Sequence, residues 1–160
     1  MRGQLRRVGR LVSVRAARFD ERGRCRRLLG RAADLDAGAR RLYVAALGPC
    51  VLGAVPVNDV PHDDIDGWFV GLLRVRTAVR GMGLGERLLR LAEADARGAG
   101  AVSLWGIVTI GNGPMERLAA KVGLRPVVTP ALGEQLDRLE RESGVRRTYL
   151  PKPLTDEGAG

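Results

Sequence analysis

Residues 73–85, LRVRTAVRGMGLG, constrain this chain more than any other stretch. They continue an alternating series, Phe69, Gly71, Leu73 and Val75, which has the period of a half-buried strand. The series breaks at Arg80-Gly81-Met82-Gly83-Leu84-Gly85, and a strongly helical run, residues 86–97, follows at once. A strand that turns through glycines into a helix builds an anion site. The first helical turn leaves backbone N–H groups without intrahelical acceptors, and the macrodipole adds partial positive charge there. Glycines let a phosphate come close to that backbone. The segment is therefore expected to hold a phosphate-bearing ligand on an α/β scaffold.

Spacing narrows the choice of ligand. The dinucleotide fingerprint G-x-G-x-x-G fails, because the sixth place counted from Gly81 is Glu86. The P-loop needs a Gly-Lys-Ser/Thr ending that is absent, and the kinase glycine loop leads into a strand instead of a helix. What remains is R-x-x-G-x-G on a strand-to-helix turn, carried by Arg80, Gly83 and Gly85. Here the chain resembles the GNAT superfamily of acyl-CoA N-acyltransferases, whose [QR]-x-x-G-x-[GA] segment holds the CoA pyrophosphate on backbone amides at the end of the fourth strand. A second segment strengthens the resemblance. A strand-like run, residues 103–110, leads to Asn112-Gly113-Pro114-Met115, a helix, and Lys121-Val122-Gly123-Leu124. This is similar to the family's N-x-P-M-x-x-L-A-x-K-x-G-[FL] segment, in which the asparagine caps a helix beside the cofactor. Pro114 near the first helical turn and Gly123 past the end obey ordinary capping rules. The resemblance covers residues 68–127.

The resemblance implies a GNAT-like α/β fold: one domain over residues 1–160, with a mixed sheet of about six to seven strands and helices on both faces. The fourth and fifth strands splay apart around the pantetheine arm. By position, Leu73 and Val75 pair with that arm, their side chains otherwise reading as plain core, and a backbone N–H near Val75 serves as oxyanion donor. The cofactor site comprises Leu73, Val75, Arg80, Gly81, Met82, Gly83, Leu84, Gly85, Asn112 and Met115. Acetyl-CoA, or another acyl-CoA, is the implied co-substrate, with no metal. The family's usual general acid is a tyrosine whose matching position here is Ala119. Tyr149 and Tyr43 are the remaining candidates, and each also reads as sheet packing. For a general base the loop Pro61-His62-Asp63-Asp64-Ile65-Asp66 stands out. Asp66 lies nearest the start of the central strand, and His62 has an ordinary pKa near the working range. A solvated acidic loop, or a Mg²⁺ site from Asp63, Asp64 and Asp66, are the alternatives.

The local pattern reads as strands at residues 11–19, 41–47, 50–57, 68–77, 103–110, 124–128 and 145–150. Helices are expected at 22–35, 84–97, 114–122 and 132–142, and residues 156–160 as a disordered tail. Only one helix fits between the first two strands, where the family usually has two, and the helix at 132–142 is an addition. Both departures fall on the acceptor side.

Composition bounds the partners. The net charge is +9, and arginine supplies most of it, since Lys121 and Lys152 are the only lysines. Such a surface attracts anions and nucleic acid. Aromatic residues are only 4%, too few for base stacking on any scale, and the arginines are spread along the chain. Nucleic acid is therefore not the expected partner. Two cysteines, Cys25 and Cys50, read as free thiols. No membrane span or apolar leader is evident, so a cytoplasmic place is expected, and a homodimer is compatible with the chain. The expected function is acetyl transfer from acyl-CoA to a primary amine of a peptide, protein or larger natural product. The rivals are a degenerate module that binds acyl-CoA without turnover, and an RNA-associated protein or RNA-modifying acyltransferase.

Overall fold

The computed structural model describes residues 11–30, 41–59, 66–127 and 129–155. In chain order they form β1 (Ser13–Ala16), a 3₁₀ turn (Phe19–Glu21), α1 (Arg22–Leu29), β2 (Arg41–Leu47), β3 (Cys50–Asn58), β4 (Trp68–Val70) and β5 (Arg74–Val75). A second 3₁₀ turn (Thr77–Val79) precedes α2 (Leu84–Gly98), and β6 (Ser103–Thr109), α3 (Gly113–Lys121), α4 (Pro130–Ser143) and β7 (Arg147–Pro153) complete the fold. One mixed sheet runs β1-β2-β3-β4-β6-β7, with β5 paired to β3. Only the β4–β6 pair is parallel among these neighbours.

Helices cover both faces. In α2, Leu84, Leu88, Leu89, Ala92 and Ala96 recur at helical spacing and are all buried. They pack on Val55, Val57, Trp68, Val70 and Leu104 of the sheet, with Ala119 and Val122 from the α3 end of the chain in the same core. Each fully buried leucine contributes about 1.5–3 kcal/mol. On the opposite face Cys25 and Leu29 of α1 cover Val44, Val51 and Ala54. Leu132 and Leu136 of α4 cover Phe69, Trp105, Ile107 and Tyr149 on the same side.

Several boundaries differ from the sequence reading, for physical reasons. The helix expected over 22–35 ends at Leu29, because Gly30 takes a left-handed φ of 73° and its N–H closes on the Arg26 carbonyl. The first strand stops at Ala16, since the chain turns into the 3₁₀ element that starts α1. The strand expected at 124–128 is not a ladder strand, although Arg125 and Val127 donate their N–H groups to the Pro151 and Tyr149 carbonyls of β7. The single central strand expected over 68–77 is two strands. Val70 faces Val57 and Arg74 faces Ala54, so four steps on one strand match three on the other. One extra residue is thus accommodated across Gly71-Leu72-Leu73, a β-bulge. An isolated glycine inside an alternating run is the sequence signal for such a bulge, and Gly71 carries it. The expectations for residues 31–35, His62, Asp63, Asp64, Val128 and the 156–160 tail lie outside the described residues.

Candidate active site

The bulge separates two strands that the sheet would otherwise hold together. β4 pairs with β6 from Trp68↔Leu104 to Val70↔Gly106. Beyond that point β5 pairs only with β3, and Ile107, Val108 and Thr109 pair only with β7. A wedge therefore opens between β5 and the far half of β6. Its β5 wall presents backbone. Arg76 donates its N–H to the Leu52 carbonyl at 2.8 Å, whereas Val75 stands opposite Gly53 in the alternate type of pair. In an antiparallel ladder the polar groups of such a residue point away from the partner strand. The Val75 N–H and C=O thus face the wedge, and the C=O accepts the Arg80 Nε at 3.2 Å. The side chains of Leu73 and Val75 pack against the α2 core.

The glycine loop sits at the mouth of this wedge. Gly81 and Gly83 have φ of 80° and 77°, a region open to glycine at no steric cost. Gly83 is the N-cap of α2, and the first helical bond runs from the Arg87 N–H to the Gly83 carbonyl at 3.1 Å. The amides of Leu84, Gly85 and Glu86 therefore lie at the open, electropositive end of the helix. A Cβ at Gly83 would meet nothing within 4 Å, whereas one at Gly85 would lie 3.0 Å from Leu118 Cδ2 and 3.3 Å from Leu73 Cδ2. The two glycines have different surroundings: Gly83 borders open space, and Gly85 lies where the bulge, α2 and α3 meet. Across the mouth, Asn112 caps α3, its side chain accepting the Met115 N–H at 3.5 Å, while Glu116 accepts the Gly111 N–H at 2.9 Å. Met115 packs against the same core. Leu73, Val75, Arg80–Gly85, Asn112 and Met115 are thus gathered at one end of the sheet.

Of the expected acid–base residues, Asp66, Tyr149 and Tyr43 are described, and they are not gathered there. Asp66 precedes the opposite end of β4. Its backbone carbonyl accepts both the Ser103 hydroxyl and, at 3.2 Å, the Trp105 indole N–H, which fixes it at the start of β6. Three residues of strand, about 10 Å, separate even Trp68 from Gly71, so direct contact between Asp66 and an amine at Val75 is out of reach. Tyr149 is buried, edge-on to Trp105 with ring centroids 6.4 Å apart, and donates its hydroxyl to Gln135 Oε1 at 3.3 Å. Burial pushes its pKa up. It lies on β7, one strand beyond the wedge, opposite Ile107. Tyr43 donates to Asp95 Oδ2 at 2.8 Å, and burial and that bond raise its pKa as well. Both tyrosines are buried, and each hydroxyl bonds to a side chain within the fold. Ala119 is 4% exposed in the α2–α3 core. Among the described residues no three His, Cys, Asp or Glu side chains converge on a common point, and no helix is long and apolar enough to cross a membrane.

Known proteins share this fold. An "IAA acetyltransferase" from Bacillus cereus superposes with a TM-score of 0.70 at 18% identity, over 89% of this chain and 99% of that one. N-acetylglutamate synthase from Neisseria gonorrhoeae, solved with coenzyme A and N-acetyl-glutamate, gives 0.69 at 20% identity over 90% of this chain. The chain spans only 35% of that synthase. A GNAT family acetyltransferase from Brucella melitensis in complex with acetyl-CoA gives 0.59 at 21% identity, over 71% of this chain and 82% of that one. No curated protein sequence matches. A sequence model of the acetyltransferase (GNAT) family matches residues 11–124, the span that holds the wedge, the glycine loop and the capped α3, and the chain belongs to that family.

Proposed function

We propose that this protein transfers an acetyl group from acetyl-CoA to a primary amine of a peptide, protein or larger natural product, in the cytoplasm. The observation that carries the reading is the wedge between β5 and β6, with the Val75 amide on its wall and the Gly83 cradle at its mouth. The α2 N-terminus takes the CoA pyrophosphate, and the pantetheine arm lies along β5 as a substitute strand. The thioester carbonyl then reaches the Val75 N–H, which stabilises the oxyanion as the amine attacks. The C–N bond forms, the C–S bond breaks, and the proton shed by the attacking nitrogen passes through water to the leaving thiolate, because Ala119 offers only a methyl group. The ammonium must lose a proton before attack. At the separation described, Asp66 assists only weakly, through intervening water, and His62 is the other candidate base.

The test is incubation of the protein with acetyl-CoA and pooled peptides and amines, followed by mass spectrometry. A gain of one acetyl group on an amine supports the reading. Ala119 also favours a second reading, binding without turnover. Stabilisation by CoA with no acetylated product from any pool would select it.

A further inference from the structure

We infer that the acceptor amine carries a carboxylate and that Arg74 receives it, an inference that rests on the acetyl-transfer reading. Arg74 stands opposite Ala54, whose side chain belongs to the cluster under α1. The Arg74 side chain therefore leaves the sheet on the α1 face, while α2 and α3 close the other face. Val75 follows at once, so the Cα atoms of Arg74 and of the proposed oxyanion donor are about 3.8 Å apart. An acceptor approaching from the α1 face meets this exposed guanidinium beside Val75.

The one hydrogen bond of Arg74 among the described residues runs from Nη1 to the Leu28 carbonyl, at 3.4 Å, in the last turn of α1. That carbonyl holds one nitrogen, and the rest of the fork has no partner among the described residues. Other arginines of this chain face carboxylates: Arg15 on Glu21, Arg41 on Asp59 and Arg97 on Glu93. Arg74 faces none among the described residues, and the nearby Arg76 likewise spends its Nε on a backbone carbonyl, that of Val51. The bordering helix α1 carries Arg22, Arg24, Arg26 and Arg27 and no acidic residue. A permanently charged, exposed fork beside a basic helix suits a carboxylate. The phosphates of CoA are the other anion source, but their cradle lies at Gly83, past the 3₁₀ turn.

The probe is a pair of hexapeptides with free N-termini, identical except for Glu or Gln at the second position. Each is titrated calorimetrically into the CoA-saturated protein. The Glu peptide is expected to bind about ten-fold more tightly, the worth of one charge-assisted contact. Arg74→Gln removes the charge, while α1 stays anchored by its buried Cys25 and Leu29. It should bring the two peptides within about two-fold of each other without changing CoA affinity, and Arg74→Lys should keep part of the preference. Equal binding of both peptides by the wild type, or binding of neither, overturns the inference. So does a loss of CoA affinity in Arg74→Gln with the peptide preference intact. If the preference holds but neither peptide is acetylated, the transfer reading fails and the carboxylate site stands.

Discussion

Gly83 and Gly85 occupy equivalent places in the motif and unequal places in the molecule, and mutation should separate them. Gly85→Ala pushes a methyl against the flexible end of Leu118, 3.0 Å away. Overpacking of this kind should cost about 1 kcal/mol and lower the melting temperature by about 2–4 °C. Stabilisation by CoA should survive. Gly83→Asp fills open space but forces a side chain into a left-handed conformation, and it places a carboxylate in the cradle. CoA should then give no thermal shift, measured by scanning fluorimetry at ligand concentrations that shift the wild type. A normal shift in Gly83→Asp would sink the assignment of this loop. Tyr149→Phe removes one 3.3 Å bond to Gln135 and should leave turnover within about three-fold, whereas a true acid would lose about 10²-fold or more. The loop itself was legible, because glycine spacing before a helix has few physical meanings. The difference between its glycines was not, since it depends on Leu118, a residue thirty-three positions away.

Single elements are held by side chains as much as by ladders. Glu21 is 3% exposed, and it accepts both Arg15 Nη1 and Nη2, at 2.7 and 2.8 Å, and the Arg18 N–H at 2.8 Å. It thereby ties β1 to the entrance of α1. The Arg15 bond, against the opposing effect of burial, lowers the Glu21 carboxyl from 4.5 to about 2. A carboxyl depressed in the folded state binds its proton more readily once unfolded. Its contribution to stability is therefore complete above about pH 4.5 and is lost as pH falls toward 2. Glu21→Gln should destabilise by about 2 kcal/mol at pH 7, and the difference from wild type should shrink steadily between pH 4.5 and 2 in urea titrations. A constant difference across that range would show that the pair adds nothing by charge. At this scale the periodic elements were readable: α2 is within one residue of its expected limits, and α4 announces itself by Thr129-Pro130 at one end and Gly144 at the other. The bulge escaped notice although Gly71 marked it, because alternation of Phe69, Leu73 and Val75 survives an inserted residue when the register shift is absorbed by the backbone.

For the molecule as a whole, the order of elements could be read from periodicity and the two motifs, while the acceptor side could not. The cofactor end is built from backbone at glycine-marked turns, which leave a local signature. The acceptor end depends on which side chains α1, α4 and β5 bring to one face, and no local pattern records that. The placement of Asp66 shows the same limit. Adjacency to the central strand was visible, but the parallel β4–β6 pairing that carries it to the far end was not. Asp66→Asn should accordingly lower turnover at pH 7 only modestly, about three-fold or less, as measured in steady-state assays with the best peptide acceptor; a loss of about 10² or more would require the direct contact that the fold denies. The wedge has a further consequence for the protein's handling. A sheet opened from within has two raw edges, and exposed edges invite strands from neighbouring chains. On the β5 side the hazard is blunted by the sequence Arg-Val-Arg, whose charges resist a second strand. The β6 side, Ile107-Val108-Thr109, has no such guard. Shelf life and heat resistance should then depend on what fills the gap: turbidity on heating should rise later and more slowly with CoA present, by more than the gain in melting temperature alone predicts.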